Sequence, residues 1–370
     1  MSSRPLAAVV LAAGEGTRMR SSRPKPLHLL CGRPMVVHVL DALAEVAVDR
    51  VVVVVGHAAE RVAKQVQAHA PSGVPIEFIE QRVQRGTGDA VSVALTAFGP
   101  EDEVEDGDIV VLPGDTPLLR PPTIAALVRA HRQSGAAASV LTAVIDDPTG
   151  YGRIVRGKDD RVRRIVEHAD ADADERAITE VNTSIYCFRT AVLAPALRRI
   201  TPENAQGEYY LSDIVEVLAD AGYTVVSMIA DDAVETAGVN DRAQLAVAEA
   251  ELRARINERW MRRGVTMLDP EHTYVDVGVE LAPDVTLFPG TILRGATVIA
   301  SGAEIGPNSH LVDTVVGERA IVDTTVARQA TIGPDARVGP FASLEPGAEV
   351  PAGTVTGAHH RAPDDLAGGG

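Results

Sequence analysis

The chain has 370 residues, enough for two or three domains and a sizeable core. Hydrophobic residues make up 45% and charged residues 23%, as in an ordinary globular protein, while aromatics at 3% leave the core to Val, Ala, Leu and Ile. The net charge of −16 argues against a nucleic-acid partner and offers no basic face to anionic lipid, so an anionic substrate would have to meet local cations. Cys31 and Cys187 fit neither a disulfide framework nor a zinc spacing and read as buried small side chains. The first residues are too short an apolar stretch for a signal core, and no apolar run approaches the roughly 18 residues of a membrane span. The expectation is a cytoplasmic protein.

In chain order, Leu6 to Val10 reads as a buried β-strand and feeds directly into LAAGEGTRMRSSRPK, Leu11 to Lys25. Gly14 and Gly16 allow a sharp turn with backbone N–H groups free to face phosphate oxygens, and Arg18 and Lys25 add fixed positive charge. The spacing is neither G-x-x-x-x-G-K-[ST] nor G-x-G-x-x-G. From these residues alone, a phosphate site and a plain tight turn both stay open.

Beyond the loop, short Val/Ile-rich runs alternate with helical stretches to about residue 145. A helix is expected over Met35 to Val46, a strand over Arg50 to Val55 and a helix over Ala59 to Ala68. A strand over Ile76 to Glu80, a helix over Gly88 to Ala97 and a strand over Ile109 to Leu112 follow, the last ending in Pro113-Gly114-Asp115. Strands apolar on both faces and alternating with helices imply a largely parallel sheet covered on both sides, with ligands at the carboxyl ends of its strands. Between residues 150 and 240 the pattern loosens: strands over Tyr151 to Val155, Val162 to Glu167, Glu180 to Phe188 and Thr224 to Ile229, a loop over Asp170 to Glu175, and a helix over Tyr209 to Ala219. This stretch is expected to form a substrate lobe packed back on the sheet.

Asp241 is expected to cap a helix running to about Arg263, with Leu245, Ala248, Leu252, Ile256 and Trp260 on one stripe, read as an arm between domains. From Gly264 a hexad pattern places Val285, Ile292, Val298, Ile305, Ile332, Val338, Leu344 and Val350 inward, with Gly and Pro at corners, the pattern of a parallel β-helix. The domain expectation is therefore 1–240 nucleotide-binding, 241–263 helical arm, 264–356 β-helix and 357–370 disordered tail.

Nine motifs in order now carry a resemblance: LAAGEGTRM at Leu11, PKPLH at Pro24, QRGTGDA at Gln84, GDTPLL at Gly114, DDPTGYGRIVR at Asp146, IVEHADA at Ile165, EVNTSIY at Glu180, NAQGEYYLSD at Asn204 and GVNDR at Gly238. Over roughly residues 6–356 the chain resembles the bifunctional N-acetylglucosamine-1-phosphate uridylyltransferase and glucosamine-1-phosphate acetyltransferase family. The resemblance implies a Rossmann-like α/β nucleotidyltransferase with a doubly wound mixed sheet, followed by a helical arm and a short left-handed β-helix of hexapeptides. It implies joining of UTP to a sugar 1-phosphate with Mg²⁺ as cofactor, and a homotrimer formed through the β-helix.

Residue by residue, the resemblance places Arg18 and Lys25 in catalysis and Asp115 and Asn240 on Mg²⁺. Leu11, Ala12, Ala13, Gly14, Gln81, Gln84, Gly86 and Thr87 fall on the nucleotide, and Gly114, Gly152, Glu167, Asn182 and Tyr210 on the sugar. These residue types suit nucleotidyl transfer, because the attacking sugar phosphate is already an anion and positioning with charge neutralisation suffices. The chain also departs from the family. Asp89 stands where His is usual, Pro113 where Tyr or Ser is common, and Ser184 where Gly is usual, which puts the identity of the sugar in question. Glu345 replaces a cation of the Arg-rich segment, and the acetyl-CoA half is expected to be missing, so no acetyltransferase activity is expected. The competing readings are a nucleotidyltransferase for a different sugar 1-phosphate and a catalytically weak nucleotide-sugar-binding or assembly protein.

Overall fold

The computed structural model describes residues 4–99 and 107–362. The chain forms two compact units: one holds the residues up to His28 together with Pro34–Leu245, and the other holds Leu29–Arg33 together with the residues from Ala246 onward.

The first unit is built on a nine-stranded mixed sheet. Its strands are β1 (Leu6–Ala12), β2 (Arg50–Val55), β3 (Ile76–Glu80), β4 (Asp108–Pro113), β5 (Ala138–Val144), β6 (Arg153–Arg156), β7 (Val162–Val166), β8 (Glu180–Arg189) and β9 (Val225–Ile229). The main path runs β9-β5-β8-β4-β1-β2-β3, with β6 pairing β8 and β7. β1 pairs in parallel with β2 and β4, whereas β8 is antiparallel to both β4 and β5.

The doubly wound arrangement follows from the β-branched runs. In β2, Val51, Val53 and Val55 pack with Val36 and Leu40 of α1 (Met35–Ala44), Val62 of α2 (Ala59–His69) and Leu127 of α4 (Pro121–Ser134). Val52 and Val54 face the other layer, with Val91 of α3 (Thr87–Ala94), Leu193 of α6 (Thr190–Leu197) and Ile214 of α7 (Asp213–Asp220). A strand whose two faces are both apolar has to lie between two helical layers, and each such buried Val contributes about 1.5–3 kcal/mol.

Several local expectations are corrected. Asp170 to Glu175 is not all loop: Ala173–Arg176 forms a short helix, α5, closed by a capping box in which Asp172 accepts from the Glu175 backbone and Glu175 accepts from the Asp172 backbone. The helix expected from Tyr209 begins at Asp213. β8 carries a bulge between Asn182 and Ile185, where Ser184 takes a left-handed φ of 60°. α4, β5 and α6 were not anticipated, although α4 opens on Pro121 and closes on left-handed Gly135.

The second unit is a coil of short parallel strands in three sheets of five, six and five strands, the hexapeptide β-helix expected. Its inward column runs Leu281, Leu287, Leu293, Ile299, Ile305, Leu311, Val316, Val322, Ala327, Ile332, Val338, Leu344 and Val350. The expected register is wrong at two positions: Val298 is 36% exposed while Ile299 is 1% exposed, and Leu293 rather than Ile292 is fully buried. A one-residue slip turns a side chain to the opposite face, so adjacent β-branched residues cannot be told apart by period alone. The tail assigned to 357–370 is also corrected in part, since Arg361–Ala362 pairs in parallel with Ser343–Leu344; residues 363–370 lie outside the described ones.

The long helix α8 (Arg242–Arg262) begins where Asp241 Oδ1 accepts the Gln244 backbone N–H at 2.8 Å, as the capping expectation required. In its later turns Ile256 and Trp260 join the β-helix core, and Asn257 Nδ2 donates to the carbonyls of Pro270 and Thr273. Cys31 and Cys187 are both free and buried, as expected. No helix among the described residues is long and apolar enough to cross a membrane.

Candidate active site

The carboxyl ends of β1, β3 and β4 lie together because these strands belong to one parallel run. Leu11 and Ala12 finish β1, and Ala13, buried at 5%, and Gly14 begin the loop. At Gly16, with φ 64°, a Cβ would come within 2.5 Å of Lys25 Cβ, so glycine lets Lys25 close against the loop. Gly114 follows β4 and donates its N–H to the Leu11 carbonyl at 2.8 Å, which fixes the turn carrying Asp115 beside β1.

Four expected residues meet here. Lys25 Nζ pairs with Asp115 Oδ2 and also donates to Asn240 Oδ1 at 2.9 Å, and Arg18 donates to the same Asn240 oxygen at 2.9 Å. Asn240 reaches the cluster because the Val239 N–H donates to the Asp115 carbonyl at 2.8 Å. Two cations therefore face two hard oxygen donors. Asp115 and Asn240 are the two oxygen donors here that could hold a divalent cation, a type of ion that takes few protein ligands when phosphates and water supply the rest. Among the described residues, no three His, Cys, Asp or Glu converge to form an all-protein metal cage.

The expected base-recognition residues lie beside this cluster. Gln81, just after β3, is 3% exposed, and its Nε2 donates to Asp89 Oδ2 at 2.8 Å and to the Gly86 carbonyl at 3.2 Å. Gln84 reaches back to the Ala13 carbonyl at 3.4 Å. Gly86 has φ 108°, and a Cβ there would meet the Tyr209 carbonyl at 2.5 Å; Thr87 Oγ1 accepts the Leu211 N–H at 3.0 Å. The segment from Gln81 to Thr87 is thus held on one side by β1 and on the other by the Tyr209–Leu211 stretch.

The expected sugar residues form a second group. A Cβ on Gly152 would lie 3.2 Å from both Glu167 carboxyl oxygens, so glycine keeps the space beside that carboxylate open. Glu167 Oε1 accepts from Ser212 Oγ at 2.8 Å, and burial, reinforced by Asp170, raises its carboxyl pKa. Asn182 is engaged by the protein itself: Nδ2 donates to the Tyr186 hydroxyl at 2.8 Å and Oδ1 accepts the Ser184 N–H at 3.0 Å. The buried Tyr210 hydroxyl has no hydrogen-bond partner among the described residues.

Three contributors went unread in the sequence. Ser212 and Asp213 follow Tyr210 in the same YYLSD motif, and Asp213 is pushed up to about 6 by burial and by Glu167, Glu216 and Asp170. Asp89, noted only as a departure from the family, turns out to hold Gln81. A carboxylate one helical turn after Arg85 was the available signal, and the two form an ion pair at 3.0 Å.

Comparison with known proteins gives the family. Residues 7–278 match the family model described as nucleotidyl transferase. The chain is 49% identical over 332 residues to the bifunctional protein GlmU of Thermobifida fusca, an alignment covering 90% of this chain and 68% of that protein. It is 48% identical to the bifunctional protein GlmU of Streptomyces coelicolor, covering 90% and 68%, and 47% identical to that of Exiguobacterium sibiricum, covering 88% and 71%.

Proposed function

Because the chain belongs to the GlmU family and is a nucleotidyltransferase, we propose that its first unit joins UTP and N-acetylglucosamine 1-phosphate to give UDP-N-acetylglucosamine and pyrophosphate. The observation that carries the reading is the convergence of Arg18, Lys25, Asp115 and Asn240 at the ends of β1 and β4. In the reaction a sugar-phosphate oxygen bonds to the α-phosphorus of UTP as the bond from that phosphorus to the β-phosphate bridging oxygen breaks. The attacking group is already anionic, so no protein nucleophile is needed. Arg18 neutralises the departing pyrophosphate and Lys25 follows the charge as it moves. Asp115 and Asn240 would hold Mg²⁺, which when bound would supply positive charge to offset that of the phosphates. Gln81, Gln84, Gly86 and Thr87 receive the base, with Ala13 over its ring, and Leu11, Ala12 and Gly14 the rest of the nucleotide; Gly114, Gly152, Glu167, Asn182 and Tyr210 receive the sugar.

The reading extends to the second unit. Glu345 stands where the family resemblance expects a cation, which supports an absence of acetyl transfer by this stretch. Partly exposed Val298, Val315 and Val326 on the coil flanks support self-association as a homotrimer, and the reading places the protein in the cytoplasm. One alternative rests on a specific observation: left-handed Ser184 is tied through its N–H to Asn182, so a different sugar 1-phosphate would be selected if this seryl side chain narrows the site.

The test is product identity. The protein is incubated with UTP, Mg²⁺ and, in turn, the 1-phosphates of N-acetylglucosamine, glucosamine, N-acetylgalactosamine and glucose. Fastest formation of UDP-N-acetylglucosamine is expected. Preference for another sugar would move the assignment to that sugar, and binding without turnover for all four would make the protein a binder.

A further inference from the structure

An amide side chain reads a base differently according to which end faces it, and at Gln81 the neighbours settle the choice. Its Nε2 lies 2.8 Å from the carboxylate of Asp89 and 3.2 Å from the carbonyl of Gly86. Both neighbours can only accept, so both N–H groups of Gln81 are used and the NH₂ end is fixed by chemistry rather than by assignment. The opposite orientation would press Oε1 against two other acceptors in a side chain that is 3% exposed. Asp89 is itself held, because its other oxygen pairs with Arg85 at 3.0 Å.

We propose that Asp89 is a positioning residue for base selection: it locks Gln81 so that only the acceptor Oε1 is presented to the nucleotide. This rests on the uridylyl reading above and names what enforces the choice of base. Uracil offers an N3–H donor between two carbonyls, whereas cytosine offers a bare N3 acceptor beside an amino group. A fixed acceptor pairs with the first and repels the second, while a Gln free to turn would serve either. The lock in this chain is a carboxylate.

The experiment is steady-state kinetics with UTP and with CTP at saturating sugar 1-phosphate, for the wild type, Asp89→Asn and Asp89→His. The Asn amide can donate or accept, so the carboxylate's share of the lock is lost and only the weaker 3.2 Å contact with the Gly86 carbonyl still holds the Gln81 amide in place. The ratio of kcat/KM for UTP over CTP is expected to fall by about tenfold or more in Asp89→Asn, through KM, with kcat for UTP within about twofold of wild type. In Asp89→His a neutral imidazole still accepts, so the ratio is retained at about pH 8 and lost at about pH 5.5, where the imidazolium only donates. A merely structural role would not give that pH dependence. An unchanged ratio in Asp89→Asn, parallel losses with both nucleotides, or a pH-independent ratio in Asp89→His overturns the proposal. A wild type without preference for UTP overturns the uridylyl reading itself, an outcome distinct from a UTP-selective wild type whose variants keep the same ratio.

Discussion

Lys25 Nζ lies 2.9 Å from Asn240 Oδ1, although 215 residues separate the two in the chain. The last turn of the first unit thereby closes on the first loop, and Arg18 shares the same oxygen. Asn240→Ala removes one acceptor from two cations while leaving the sheet intact. We expect kcat/KM for pyrophosphate release to fall by about 10²-fold, with global stability changed by less than about 1 kcal/mol in urea unfolding.

Asp213 is pushed up to about 6, by burial first and then by Glu167, Glu216 and Asp170. A carboxyl whose folded pKa exceeds its unfolded value binds more protons in the native state between the two values. Stability from this group is therefore present at low pH and is lost as pH rises from about 4 through about 6. Asp213→Asn, neutral at every pH, should be more stable than wild type at pH 7 by on the order of 1–3 kcal/mol. The gap should close as pH falls from about 6 to about 4, which parallel urea titrations of the two proteins would reveal; a gap independent of pH would count against the buried-carboxylate account.

Ser184 holds φ 60° at the bulge of β8, a conformation that crowds any Cβ. Ser184→Gly should stabilise the fold by about 0.5–1 kcal/mol, read as a higher urea midpoint at unchanged slope. If the seryl side chain also narrows the sugar site, the same variant shifts the relative rates with different sugar 1-phosphates; unchanged relative rates would remove it from sugar selection.

What was legible in the sequence tracks how much the physics is local. β2 appears with the bounds that its Val run announced, because a buried parallel strand is written as an unbroken apolar stretch, and β3, at the sheet edge, is legible from Ile76, Phe78 and Ile79 between its glutamates. Arg18 and Lys25 were legible as cations beside the glycine turn, but their meeting with Asp115 and Asn240 was reachable only through the family resemblance, since no spacing says that residues from three distant segments share one cluster. The lock of Gln81 by Asp89 depends on side-chain orientation across a turn, which no periodicity records. In the β-helix, steps of five residues from Leu311 to Val316, from Val322 to Ala327 and from Ala327 to Ile332 break the six-residue count, and so the middle coils escaped the pattern.

The β-helix register gives a test by paired substitutions. Leu293 and Ile299 are buried at 0% and 1%, whereas Val298 is 36% exposed. Leu293→Ala and Ile299→Ala should each cost about 2–5 kcal/mol, while Val298→Ala should cost less than about 1 kcal/mol. Equal costs for Val298→Ala and Ile299→Ala in thermal unfolding would contradict the observed register.

The central claim is that the cluster of Arg18, Lys25, Asp115 and Asn240 performs nucleotidyl transfer. Its most direct test is pyrophosphate release from UTP and N-acetylglucosamine 1-phosphate with Mg²⁺, in wild type and Asp115→Asn, alongside the melting shift that UTP with Mg²⁺ produces in each. We predict rapid release by wild type, a loss of about 10²-fold or more in Asp115→Asn, and a Mg²⁺-dependent melting shift in wild type alone. Equal turnover by the two proteins, or none by a wild type that still binds UTP, would contradict it.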